Sequence, residues 1–352
     1  MIIKEKAEDF RVEEIYTKIP EGKEYCIFIL DKKNWTSLKA LEKIAKRMKL
    51  SVKRFNIAGQ KDRRGVTRQY VSCQGIGKRD LERVRLKDIK LEFVCYSCEP
   101  IKLGKLDGNK FKIVVRETKG LKKVDHFPNY YDDQRFGGFR PNLHLVGKEV
   151  LLENYEKAVK LMLLYPFEEE SDDYKEARKY MEENWGDWVT FDMPKGFVNE
   201  RKIVGYLEKN DGDYLGALKS LPRHLFSMIP QAYQSYIFNV SLSRHLEKYN
   251  CVEKKYALGE LCFCKEYIDI DWPIVGYESK GNEIIEEVMK EEGVWYDTFK
   301  HEVSKLSSKG LFRKAMVKVD VKLGELNKGK QKVEFFLPPG SYATMVLKAL
   351  DQ

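Results

Sequence analysis

The sequence predicts a mixed α/β fold in which a strand-rich domain, built from both ends of the chain, is interrupted by a helix-rich insertion. Near the termini apolar residues alternate with charged ones, the period of a half-buried strand. In the middle of the chain they recur instead at helical spacing. With 352 residues, 43% of them hydrophobic, the chain is long enough for about two domains and for a sizeable core.

Taken in order, Phe10 and Val12 alternate with charged neighbours, and residues 25–30 (YCIFIL) form a second, more buried strand. Thr36 or Ser37 can cap a helix whose Leu38, Leu41, Ile44, Ala45 and Met48 share one face, with Lys39, Lys43, Lys46 and Arg47 on the other. Residues 55–58 read as a short strand running into a turn from Gly59 to Gly65. Residues 66–73 (VTRQYVSC) and 111–116 (FKIVVR) continue the sheet. Helical spacing marks 151–163, the acidic segment 168–187, a stretch after Pro230 (Tyr233, Tyr236, Ile237, Val240) and Ile284 to Met289. Strands return where Val317, Val319, Val321 and Leu323 alternate with charged residues, and again at 332–337 (KVEFFL), after a hairpin loop at 327–331. A helix over 342–350 closes the chain.

Several classes are excluded. The longest apolar runs, 25–30 and 161–167, fall far short of the roughly 20 residues of a membrane helix. The opening MIIKEKAEDF lacks the apolar core of a signal peptide, so a cytoplasmic protein is expected. Seven cysteines, an odd number, do not suggest a disulfide framework. Cys95-x-x-Cys98 and Cys262-x-Cys264 have zinc-like spacing, but the first pair sits in a strand-like run and both pairs read better as small buried hydrophobes. The five histidines show no metal-ligand spacing, and there is no nucleophile elbow, P-loop or dinucleotide fingerprint.

Charge is uneven. Residues 31–70 hold 13 basic and 3 acidic side chains, whereas 168–187 hold 3 basic and 9 acidic. Such polarity suits a polyanionic partner, and equally a solvated lysine-rich helix. Within the basic stretch, AGQKDRRGVTRQYVS (58–72) sets one carboxylate, Asp62, among Lys61, Arg63, Arg64 and Arg68. Cations that keep a carboxylate ionised also recruit phosphate, so an Asp there makes sense if it attacks something attached to that phosphate. It could also simply cap its own turn. A second segment, NYYDDQRFGGFRP (129–141), interleaves Tyr130, Tyr131, Phe136 and Phe139 with Arg135, Arg140 and Asn129. Aromatic faces stack on extruded bases and an amide reads a base edge, although such a loop could equally pack on the core.

Five motifs in colinear order resemble the TruD family of tRNA pseudouridine synthases, archaeal type: KEKAEDFRVEEI from Lys4, AGQKDRRGVTRQ from Ala58, LGKLDGNKF from Leu103, NYYDDQRFG from Asn129 and LPPGSYATMVLKAL from Leu337. The likeness is dense at both ends of the chain and looser between about 155 and 310. It implies the pseudouridine synthase catalytic fold, α+β with a mixed, largely antiparallel sheet, over 1–150 and 319–352. A helix-rich TRUD insertion domain would occupy 151–318. It implies isomerisation of uridine to pseudouridine, typically at position 13 of tRNA, by a monomer with tRNA as its partner and no cofactor or metal. Asp62 falls on the family's catalytic aspartate. Phe10, Asn129 and Tyr342 fall on its uracil pocket, as does Tyr131, where many members have Phe. Lys4, Lys61 and Arg63 complete the expected substrate-binding set. Gly65 stands where Ala is usual and Asp132 where Gly is common. The rival readings are a non-catalytic RNA-binding protein or RNA chaperone on the same fold, and a nucleosidase that releases the base.

Overall fold

The computed structural model describes residues 1–188 and 193–351. They pack as two units, Met1–Phe127 with Val317–Gln352, and Pro128–Met316. Residues 128–150 thus group by contact with the helical unit.

The first unit is built on an eight-stranded sheet. Its strands are β1 (Phe10–Ile15), β2 (Glu21–Lys33), β3 (Phe55–Ile57), β4 (Val66–Gln74), β5 (Ile89–Ser97) and β6 (Gly108–Arg116), with Lys322–Leu323 and Lys330–Leu337 from the C-terminal segment. From one edge the order is Lys322–Leu323, Lys330–Leu337, β6, β1, β4, β2, β5. The β1–β4 pair is parallel, Arg11 to Glu13 facing Val66 to Arg68, and the other pairings of this sheet are antiparallel. β3 takes the continuing edge of β4, from Val71 to Cys73. The fold is therefore α+β with a mixed, mostly antiparallel sheet, as the sequence predicts.

Period-two alternation puts Cys26, Phe28 and Leu30 of β2 on one face, where they meet Ala40, Leu41, Ile44 and Ala45 of helix α1 (Ser37–Met48). Thr36 caps this helix, its side chain accepting from Lys39 N at 3.3 Å, and Lys49 ends it in the left-handed region. The last hairpin closes through Lys328 and Gly329, both at positive φ, with Asn327 and Lys330 exchanging backbone hydrogen bonds. The alternation expected over 317–323 resolves into two short strands, Met316–Lys318 and Lys322–Leu323.

The second unit is a helical cluster joined to two strand pairs that the sequence did not announce, Cys251–Tyr256 with Gly259–Cys264 and Asp271–Ile274 with Leu311–Lys314. The helix expected at 151–163 starts later, as Tyr155–Leu164, because Glu153 takes a left-handed backbone (φ 61°) that separates it from Leu143–Leu151, a helix the sequence did not announce. The acidic segment supplies Asp172–Glu183. The helix expected to start after Pro230 runs through it, from Arg223 to Leu246. A proline inside a helix costs about 3 kcal/mol. Phe226, Ile229 and Ala232 lie in the core on either side of it, and each large apolar side chain buried there returns about 1.5–3 kcal/mol. Gly147 packs against this helix so closely that a Cβ would stand 2.4 Å from the Ile229 carbonyl.

His144 is buried in Leu143–Leu151, its ring 4.9 Å from that of Tyr236 and 5.9 Å from that of Phe136. Burial pushes its pKa from 6.5 down to about 4. The unfolded chain therefore binds a proton that the folded chain refuses, and stability falls as pH drops through this window. Relative to His144→Leu, the wild type should lose about 2 kcal/mol between pH 7 and pH 5, read as urea midpoints at the two pH values. Equal losses in both proteins would remove His144 from the account.

Candidate active site

Residues 58–65 join β3 to β4 without regular structure, so their backbone groups need other partners. They find them in buried side chains and neighbouring backbone of the first unit. Ala58 O accepts from Gly104 N at 2.7 Å, and Gly59 O from the Gln69 amide at 3.2 Å. The Gln69 oxygen in turn accepts from Ser37 Oγ at 2.6 Å, and Ser37 Oγ accepts from Lys61 N at 2.9 Å. The ammonium of Lys32 donates to Asp62 O at 3.1 Å, to Lys61 O at 3.4 Å and to Trp35 O at 2.6 Å. Gly65 closes the loop at φ 153°, where a Cβ would stand 2.8 Å from the Phe10 carbonyl, so the Ala usual at this position in the family would be strained on this backbone.

The cations around Asp62 sort differently in space than in sequence. Lys61, expected to bind substrate, turns inward. Its ammonium lies 2.8 Å from Glu14 Oε2 and donates to Asn109 Oδ1 at 2.7 Å. Arg68 is held by Asp31 and Glu92, at 2.9 and 2.8 Å. Arg63 and Arg64 are exposed. A cation on Asp62 comes from far away in the chain: Lys4 Nζ donates to Asp62 Oδ2 at 2.8 Å. The same ammonium lies 4.2 Å from the ring centroid of Phe10. Phe10 is buried at the head of β1, edge-on to Phe111, which stacks on Phe335. The Phe10 ring face attracts that ammonium and helps to hold it at the carboxylate. Lys4, Phe10 and Asp62 thus form one cluster. Tyr342, half-buried, stands in the same unit at the N-terminus of the helix Ala343–Leu350.

Asn129 and Tyr131 belong to the second unit, where they too are brought together. Asn129 is held by the strand Leu311–Lys314 and the residue after it. Its amide donates to Lys314 O at 3.0 Å, its Oδ1 accepts from Arg313 at 2.7 Å, its carbonyl accepts from Arg313 at 2.9 Å and its N–H donates to Ala315 O at 2.8 Å. Asn239 brackets the Tyr131 backbone, accepting at 2.9 Å and donating at 2.8 Å. The Tyr131 ring stands edge-on to Phe238, with the Arg313 guanidinium 4.4 Å and that of Arg135 5.2 Å from its centroid. Of the other aromatics in this segment, Tyr130 and Phe136 are core, while Phe139 is exposed and packs on Phe167.

Sequence reasoning missed Lys32, Glu14, Ser37 and Gln69, which build the loop, and Arg313, which orients Asn129. Lys32 had a signal: it continues the buried face of Cys26, Phe28 and Leu30. Arg313 had none, since 184 residues separate it from Asn129. The Cys95 and Cys262 pairs lie in different units, and among the described residues no group of three or more His, Cys, Asp or Glu could hold a metal ion. No helix among them is long and apolar enough to cross a membrane.

The model of the family tRNA pseudouridine synthase D (TruD) matches residues 1–269 and 264–350. A protein of Methanosarcina mazei named "Probable tRNA pseudouridine synthase D" is 33% identical, over 98% of this chain and 92% of its own length. One of the same name from Thermococcus gammatolerans is 32% identical over 99% and 94%. A crystal structure from Methanosarcina mazei, described as that of the "Putative tRNA pseudouridine synthase D (TruD)", superposes with a TM-score of 0.71 at 31% identity, over 99% of this chain and 93% of the other.

The buried Lys61–Glu14 pair has a measurable consequence. Lys61→Met leaves the Glu14 carboxylate without its ammonium and should cost about 3–5 kcal/mol in urea unfolding. Adding Glu14→Gln, which keeps an acceptor for Tyr70 N, should restore most of that loss. A double variant no more stable than Lys61→Met would show that the pair contributes little.

Proposed function

The chain belongs to the tRNA pseudouridine synthase D family, and from that premise we propose that it isomerises uridine to pseudouridine in tRNA, at position 13, with Asp62 as the catalytic carboxylate. The observation that carries the role of Asp62 is its setting: a half-buried carboxylate on an irregular loop, paired with Lys4 at 2.8 Å and carried on backbone that three buried side chains, Lys32, Ser37 and Gln69, hold.

The reaction breaks the bond from N1 to C1′, turns the uracil and rejoins it through C5. No atom is lost and no redox change occurs, so the chemistry calls for a charged carboxylate at the sugar or the ring, not for a redox cofactor. The released uracil must be confined. By the family resemblance, Phe10, Tyr131 and Tyr342 would wall it in and Asn129 would read the base edge. Extrusion of the target base costs a few kcal/mol, which phosphate contacts from the basic stretch 31–70, Arg63 among them, offset. The domain carrying this chemistry comprises 1–150 and 319–352. The insertion, 151–318, shapes the choice of RNA. The enzyme acts as a monomer in the cytoplasm.

Incubation with unmodified tRNA transcripts, followed by chemical mapping of pseudouridine, tests the activity. One new pseudouridine at position 13 with unchanged RNA mass is expected; release of free uracil would mark a nucleosidase, and unmodified RNA a binding protein. Asp62→Asn should abolish product even on long incubation while tRNA affinity at fixed salt stays the same or rises, because the substitution removes a negative charge near phosphate. Substantial product from this variant would place the chemistry elsewhere in the chain.

Tyr131→Phe should keep most of the activity and Tyr131→Ala lose much of it, since the ring face is what a stacked uracil needs, at about 1–3 kcal/mol per stacked base. A Phe variant as inactive as the Ala variant would instead assign the role to the hydroxyl.

A further inference from the structure

Lys32 is the least economical residue in the sheet. It sits near the end of β2, 2% exposed, where the register places Thr67 of β4 and Ile89 of β5 beside it. Neither neighbour can titrate. Among the described residues it pairs with no carboxylate. Its ammonium is satisfied by three carbonyls, those of Trp35, Lys61 and Asp62. The charged groups that act on it are Asp62 and Lys61 of the loop. Burial pushes its pKa down to about 8, with Asp62 acting in the opposite direction. A methionine would fill the same space without desolvating a charge, so packing alone gives no reason for a lysine here.

The geometry supplies the reason. Trp35 O lies just ahead of the cap of α1, and Ser37, in the first turn of that helix, accepts from Lys61 N. The peptides of Lys61 and Asp62 are thus held from both sides: their carbonyls by Lys32, the Lys61 N–H by Ser37. Lys32 bonds directly to the backbone of Asp62. We propose that Lys32 is a positioning residue for pseudouridine formation, a buried clamp that fixes the Asp62 backbone to the entry of α1 and so sets where the carboxylate points. This rests on the reading of Asp62 as the catalytic carboxylate.

The expected signature is a rate effect without a binding effect. A misplacement of about 1 Å in a reacting group can cost 100-fold in rate. Lys32 is buried, and phosphate contacts come from other residues. Lys32→Met should therefore lower the single-turnover rate on a saturating unmodified tRNA transcript about 100-fold, with the dissociation constant for that transcript changed less than threefold. Lys32→Gln keeps two N–H donors and should fall in between, about tenfold down with the same affinity. It is read alone if the Met variant does not fold by thermal melting. Asp62→Asn is run beside them. If Asp62→Asn is inactive and the folded Lys32 variants turn over at the wild-type rate, the Lys32 proposal fails while the reading of Asp62 stands. If the Lys32 variants lose affinity and rate together, Lys32 supports the fold at large and the proposal also fails. If Asp62→Asn is active, the reading of Asp62 falls and takes the clamp with it.

Discussion

The constraint on which the rest depends is that a loop outside any helix or ladder must hold one carboxylate in place. Backbone groups of such a loop, if buried, need partners, and each one left unmade costs about 1–3 kcal/mol. The chain meets this requirement with side chains carried on rigid neighbours: Ser37 on α1, Gln69 on β4 and Lys32 on β2. Each of these elements is fixed in turn by apolar packing between the sheet and α1. The sheet order follows the same need. β1 and β3 share one edge of β4, so that Phe10 begins where the loop ends and the Phe10 carbonyl closes on Gly65. Lys4, which leads into β1, then reaches Asp62 across 58 residues of sequence.

The second unit solves a parallel problem by other means. Asn129 and Tyr131 lie just after the chain enters that unit, on backbone without a ladder of its own. Arg313 supplies the order there, bonding the Asn129 carbonyl and side chain while its guanidinium lies over the Tyr131 ring. An amide fixed in this way presents a defined donor and acceptor pattern, which a base-reading residue requires.

Period and propensity carried much of the sheet and α1, because alternation along β1, β2, β4 and β6 reports a real two-sided environment. They failed where tertiary contact overrules local signal. Pro230 stands inside a helix because burial around it outweighs its cost, and the left-handed Glu153 delays to Tyr155 a helix that periodicity starts at 151. Within the site, Asp62 and its basic surroundings were legible as an unusual turn. Which cation meets it was not: proximity in sequence pointed to Lys61, Arg63, Arg64 and Arg68, whereas Lys61 serves the buried Glu14, Arg68 serves Asp31 and Glu92, and Lys4 pairs with Asp62. Pairing is decided by strand order, which a single sequence states only indirectly. Lys32 was readable as a lysine on an apolar strand face, but its carbonyl partners were not.

The most direct test of the central claim is a crystal structure of the Asp62→Asn variant bound to an unmodified tRNA transcript. The account predicts an extruded uridine at position 13 with its C1′ or uracil ring about 3–3.5 Å from the residue 62 side chain, the distance of a group poised to react. A target uridine seated away from residue 62 and contacting another carboxylate would contradict it.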